Sequence, residues 1–319
     1  MAAQVSRMMI GIQPTGWTND DFPEIGNDIP YQVILDETKR ADFEGGSTGH
    51  NYPTHLPSLL YSLSHRKITI VSTWFGTAFT TGLDFTAGIT AFEQQISFLK
   101  AVNAKDVVVA ELANAVNQVR SKSVLTDRPI FNAAEWYLLT SSLDIAGKIA
   151  HDNGMQLSYH PHVGTGVMTI EETERLISST DSEYVGICLD TAHLRFGGAT
   201  QAEIEHLTNT HVKRIKHVHL KNVRNQILPL ATDNNYSFYQ AIQAGIFTVP
   251  GDLDGDLNLD PIMDALVSVG YDRWLVVEAE QNPLHATLRT STLQTNPVQA
   301  SPFDCAQTAR AYIKSRLGY

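Results

Sequence analysis

Cysteine is nearly missing from this chain: Cys188 and Cys305 are the only two in 319 residues. That excludes a scaffold built on disulfides and points to a reducing, cytoplasmic compartment. Basic residues are also scarce. Lys and Arg total 23 against 34 Asp and Glu, a formal net charge of −11, which argues against a surface made for nucleic acid. No apolar run approaches the roughly 20 residues of a membrane helix; DVVVAEL is typical of the longest. The opening MAAQVSRMMIGIQP lacks the apolar stretch and cleavage site of a signal peptide. Low-complexity tracts and near-identical repeats are absent. With 43% hydrophobic and 18% charged residues, the chain can bury a large core and is not of the disordered class. A single soluble domain over 1–319 is expected, with 1–7 as a flexible N-terminus.

A pattern does recur: a short apolar run, a polar loop, then a longer amphipathic stretch. The runs read as strands buried on both faces, at 8–12, 43–46, 68–73, 107–112, 156–160, 185–190, 215–220 and 274–280. Helices are predicted at 29–41, 56–64, 87–102, 133–153, 170–178, 201–209, 237–245, 261–270 and 305–317. Eight strands alternating with helices point to an α/β fold, a (β/α)₈ TIM barrel. A doubly wound open sheet is the rival, but the first turn is GIQPTGW rather than GxGxxG. Strand-to-helix links are long, above all 281–302, and in a barrel these loops share the face where active sites sit.

Polar residues end the late strands. The fifth ends in His160 and His162. The sixth ends in Asp190, with His193 close behind. The seventh presents His217, His219 and Lys221, and the eighth Glu278 and Glu280. Strand residues alternate faces, so each set can aim into one lumen. Imidazole and carboxylate donors together suit Mn²⁺, Co²⁺, Zn²⁺ or Fe²⁺. Glu111 ends the fourth strand, as a further acid or as a structural acceptor. Trp17, Trp74 and Phe75 follow strands and either floor a sugar pocket or pack in the core. Cys188 reads as a small core residue. Asp252 and Asp256 lack the spacing of a calcium loop.

The motifs YHPHVGTGV, LDTAHL, HVHLKNVR, VPGDLDGD and VVEAEQNP, with GIQPTGWTNDD, VLTDRPIF and EGGSTGHNYP, resemble the inosose dehydratase family of inositol catabolism. This family lies within the xylose-isomerase-like barrels. The resemblance runs from about residue 9 to 282. It implies loss of water from 2-keto-myo-inositol, with dependence on Mn²⁺ or Co²⁺. From the related epimerases it carries metal-ligand roles onto Asp190, His219 and Glu278. Their strand-five ligand is a Glu, where this chain has His160, with His162 as the alternative. Typical dehydratases carry an acid where Ser47 stands, so a carboxylate able to hold a substrate hydroxyl is missing there.

Dehydration beside a ketone needs a base for the α proton and an acid for the departing hydroxyl. Lys221, Glu280 and His193 are the candidates. Substrate contacts are expected from His162, Trp17, His217 and Arg224, and the 281–302 loop is expected to close as a lid. The partner is then a small cyclic polyol or sugar, with no nucleic acid and no membrane, and a homo-oligomer stays open. A metal-dependent epimerase or isomerase is the nearest alternative, since it shares the proton abstraction. A non-catalytic sugar-binding barrel and a DNA endonuclease are more distant.

Overall fold

The computed structural model describes residues 7–82 and 85–319. The N-terminus expected to be flexible falls mostly on 1–6, outside the described residues. Arg7 itself is fixed by a two-pronged pair with Glu44, at 2.6 and 3.1 Å.

Nine strand segments form one sheet, all paired in parallel: β1 (Met9–Ile12), β2 (Gly45–Gly46), β3 (Thr69–Ile70), β4 (Trp74–Thr77), β5 (Asp106–Glu111), β6 (Gln156–Tyr159), β7 (Val185–Asp190), β8 (Ile215–Leu220) and β11 (Trp274–Val277). The order is β3-β2-β1-β11-β8-β7-β6-β5-β4. The two ends of that series are one piece of chain. Val71 N still bonds Gly46 O at 3.0 Å, and Val108 N bonds Thr73 O at 3.1 Å, so the third strand of the barrel is bent and serves both neighbours. The expected strand at 68–73 is thus longer and broken. Beside it, β2 is only two glycines. A Cβ on Gly45 or Gly46 would run into the carbonyl oxygens of Thr69 and Ile12, so only glycine permits this close strand approach.

The helices are α1 (Tyr31–Arg40), α2 (Leu56–Arg66), α3 (Phe85–Ala101), α4 (Ala133–Asp152), α5 (Ile170–Ser179), α6 (Thr191–Phe196), α7 (Gln201–His211), α8 (Ile227–Asp233), α9 (Phe238–Gln243), α10 (Asp260–Ser268) and α11 (Pro302–Leu317). Several start on reciprocal caps: Asn132 with Glu135, Thr169 with Glu172, Thr200 with Glu203, and Ser301 with Asp304. Each satisfies backbone donors that the first turn leaves free. Sequence periodicity missed α6 and α8, which are too short to show it. Among the described residues no helix is long and apolar enough to cross a membrane.

Two small antiparallel ribbons decorate the C-terminal face: β9 (Asn222–Val223) with β10 (Phe247–Thr248), and β12 (Thr287–Leu288) with β13 (Val298–Gln299). The main core lies between sheet and helices. Val71, Trp274 and Val276 form a separate small cluster. Alternation puts Trp274 and Val276 on the same strand face as Glu278, so they plug the lumen below the polar residues.

Candidate metal centre

Register brings the polar strand ends level. Asp190 is the lateral partner of His219, and Val276 is level with His219 on the other side. Asp190 also caps α6: its Oδ1 accepts from Ala192 N at 3.0 Å and His193 N at 2.8 Å. These bonds orient the carboxylate and leave Oδ2 for the lumen. There it stands 3.4 Å from His160 Nε2 and 3.7 Å from His219 Nδ1. His219 Nδ1 is 2.9 Å from Glu278 Oε2, and its Nε2 is 3.1 Å from Gln13 Nε2.

His160, Asp190, His219 and Glu278 each offer a ligand atom, all within 4.8 Å of one another, and all four are buried. Asp190 Oδ2 has no hydrogen-bond partner, and His219 Nδ1 has only its ion-pair contact with Glu278. Buried polar atoms without partners are costly, and a cation between these atoms satisfies them together. Two imidazoles and two carboxylates therefore fit a divalent ion. The geometry groups His160, and not His162, with the other three. Burial opposes the charge on Asp190, yet the Lys221 ammonium and then the surrounding imidazoles hold its carboxyl well below the usual range. The same contest, with Lys221 and His219 prevailing over burial, leaves Glu278 at about 2. Both are anionic and ready to bind a cation.

A second group lies beside the first: His162, His193 and Glu280, again within 4.8 Å. His193 Nε2 is 3.6 Å and His162 Nε2 is 4.0 Å from Glu280 Oε1. Lys221 joins the two groups. Its Nζ hydrogen-bonds Glu280, lies 3.1 Å from His193 Nε2, and is 3.5 Å from Glu278 and 3.8 Å from Asp190. The Phe247 ring covers it at 4.0 Å. Burial, followed by the charges of His160 and Lys221, pushes His162 down to about 3, so it is a neutral ring.

A cavity opens over these groups. His160, His162, His193, His219, Glu278 and Glu280 line it, together with residues that include Gln13, Asn19, Asp20, Asp21, Ser47, Ser72 and Trp74. Asp190 and Lys221 lie behind this wall. Trp74 meets His160 and His162 edge-on, with centroids 5.3 and 5.7 Å away, whereas Phe75 packs on Phe92 in the core. Ser47 Oγ is 3.3 Å from Ser72 Oγ.

Relatives of known name fit this arrangement. The inosose dehydratase of Geobacillus thermodenitrificans is 38% identical over 313 residues, 98% of each chain. That of Lacticaseibacillus casei is 37% identical over 308 residues, 97% of each. The chain belongs to the inosose dehydratase family. The family model of the xylose isomerase-like TIM barrel matches residues 35–295. The IolI protein, solved with a bound zinc atom, shares the fold at a TM-score of 0.67 with 15% identity over 98% of both chains.

Within this dehydratase barrel, three expected substrate contacts do not reach the cavity. The Trp17 indole is buried and donates to Glu37 at 2.5 Å. His217 shares the face of His219 but sits one layer deeper, 3.8 Å from Asp106. Arg224 bonds Gly245 O at 2.7 Å and Phe247 O at 3.0 Å, and pairs with Asp252 at 3.3 Å. It ties β9–β10 to the last loop. Glu111 is a structural acceptor, bonded by Thr77 Oγ1 at 2.6 Å, Phe79 N at 3.0 Å and Thr80 Oγ1 at 2.9 Å. The 281–302 segment is no lid in this structure. None of 282–302 lines the cavity, and Arg289 ties the segment to Asp252 and Asp254.

Sequence reasoning missed Gln13 and the pair Asp20 and Asp21. Asp21 is half-buried and accepts from Gln118 at 2.9 Å and Asn117 at 3.2 Å. Burial raises its pKa, outweighing those amide bonds. The available signal was the run NDD at 19–21, in the loop that follows the first strand.

Proposed function

We propose that this protein is a metal-dependent hydro-lyase that removes water from 2-keto-myo-inositol or a closely related cyclic keto-polyol. The observation that carries the reading is the four-ligand group standing beside Lys221, Glu280, His193 and His162 around one cavity. Asp190, His219, Glu278 and His160 would hold the ion, with Mn²⁺ or Co²⁺ as the first choices and Zn²⁺ or Fe²⁺ as alternatives. When bound, such an ion supplies Lewis acidity at a ketone oxygen.

The protein's own groups handle the protons. Glu280 lines the cavity and takes the proton α to the ketone. His193 protonates the departing hydroxyl, so that a C–O bond breaks as the C=C bond forms and water leaves. Its Nε2 is 3.1 Å from Lys221 Nζ while its Nδ1 has no partner. Lys221 can therefore return a proton to the ring at Nε2 after the ring has given one up. Lys221 is a positioning and proton-supplying residue behind the wall, without direct contact with substrate. Asp20, Asp21 and the Ser47–Ser72 hydroxyls supply polar partners for ring hydroxyls.

Incubating the Mn²⁺- or Co²⁺-loaded protein with 2-keto-myo-inositol tests this. The expected result is growth of conjugated dione absorbance, absent in Asp190→Ala. Recovery of an isomer of the substrate without that absorbance would make the protein an epimerase, and recovery of unchanged substrate would remove the reading.

A further inference from the structure

One buried side chain at this centre has no part in the proposed reaction. Cys188 lies two residues before Asp190 on β7, so its sulfur faces the same lumen one step deeper. It is a free thiol with no exposed surface. Its Sγ and a ring nitrogen from each of His160 and His219 lie within 4.8 Å of one another. These are the same two imidazoles that complete the oxygen-bearing set. A second observation points to a ligand here: His160 Nδ1, the ring nitrogen that does not face Asp190, is buried without a hydrogen-bond partner.

We propose that Cys188, His160 and His219 form a second, sulfur-bearing metal position directly below the first, which thiophilic ions occupy in place of, or bridging to, Asp190 and Glu278. This rests on reading those four residues as a metal centre. Carboxylate oxygen suits Mn²⁺, thiolate sulfur favours Zn²⁺ and Cd²⁺, and Co²⁺ accepts either. On binding, the thiol gives its proton to solvent and the metal–sulfur bond replaces the S–H bond. Cys188 does not line the cavity, so an ion drawn to sulfur moves away from the substrate side. The identity of the ion then decides how well the centre serves the reaction.

The test loads the metal-stripped full chain with one equivalent of Co²⁺ or Cd²⁺ and reads sulfur-to-metal charge-transfer absorption. The band is expected in the wild type and in Cys305→Ser, and absent in Cys188→Ala and Cys188→Ser. Cd²⁺ affinity should fall by at least about tenfold in the Cys188 variants, while Mn²⁺ affinity changes far less. X-ray absorption of the Zn²⁺-loaded wild type needs no variant to fold, and should show sulfur at about 2.3 Å. Bound ion with neither band nor sulfur shell overturns the inference and leaves the dehydratase reading intact, as does a band that survives in Cys188→Ala. No bound ion by elemental analysis overturns the inference and the metal centre together. Failure to dehydrate the keto-inositol, with the sulfur signature present, overturns only the proposed function.

Discussion

Replacing Lys221 with methionine removes a single positive charge from a buried place. The ammonium is fully buried, 3.5 Å from Glu278 Oε2 and 3.8 Å from Asp190 Oδ2, and bonded to Glu280. At an effective dielectric of about 20, each of the two longer pairings is worth about 4–5 kcal/mol before desolvation. Desolvation of the ammonium offsets much of that gain, so the sum is not the loss. Removing one partner of a buried pair costs about 3–5 kcal/mol, because the remaining carboxylates stay buried without compensation. Methionine is similar in length, so little cavity is added. In a chain of this size the unfolding temperature of the metal-free variant should fall by about 4–8 °C. Metal loading should narrow that gap, since the ion takes over the charges of Asp190 and Glu278 and only Glu280 is left unpaired.

Thermal unfolding of both proteins, in chelator and in excess Mn²⁺, reads both effects. Turnover of the loaded variant should drop more than about tenfold, roughly 1.4 kcal/mol of barrier, as Glu280 and His193 lose their shared partner. Equal stability of the two metal-free proteins would show that Lys221 does not compensate the acids. A gap that stays the same with Mn²⁺ would show that Asp190 and Glu278 do not hold the ion.

Replacing 284–295 with a short Gly-Ser linker removes the anchors of Arg289 on Asp252 and Asp254 but nothing that lines the cavity. Stability should fall slightly and kcat/KM should stay within about twofold; a tenfold loss would restore the lid. Asp21→Asn should raise the unfolding temperature near neutral pH. Burial raises the native pKa of Asp21, so the unfolded chain loses this proton first, and wild-type stability falls as pH rises from the unfolded to the native pKa. The advantage of the variant should vanish below about pH 4, where both states keep the proton. A constant difference across that range would count against a raised pKa.

Much of this was legible because polar residues interrupt strands that are otherwise apolar on both faces. His160, Asp190, His219 and Glu278 each sit where a buried strand should hold Val or Ile, and burying them without compensation is costly. The helices were readable from their period and caps, within a few residues at their ends. What escaped was of another kind. Two short helices fell below the period, and the third strand bends across 71–73, where neither pattern nor turn residues mark a break. Parity alone could have settled Glu111. Asp106 faces the lumen toward His217, so Glu111, five residues on, faces outward to Thr77 and Thr80.

Depth along the strand was the larger gap. Alternation says that His217, His219 and Lys221 share a face; it does not say which of them meets the substrate. That depends on strand offsets, and the hydrophobic pattern specifies a face more strongly than an offset when both faces are buried. Here the register sets Cys188 beside His217 and Asp190 beside His219. With Val276 level with His219, Glu278 comes two residues further on, level with Lys221. One layer therefore holds a carboxylate and an imidazole, the next a carboxylate and an ammonium, and the layer beneath a thiol and an imidazole. The same alternating strands, slipped by two residues, would keep every side chain in the lumen yet set Cys188 opposite His219 and Asp190 opposite Lys221. The chemistry of the site is thus fixed by offsets between strands as much as by the residues that end them.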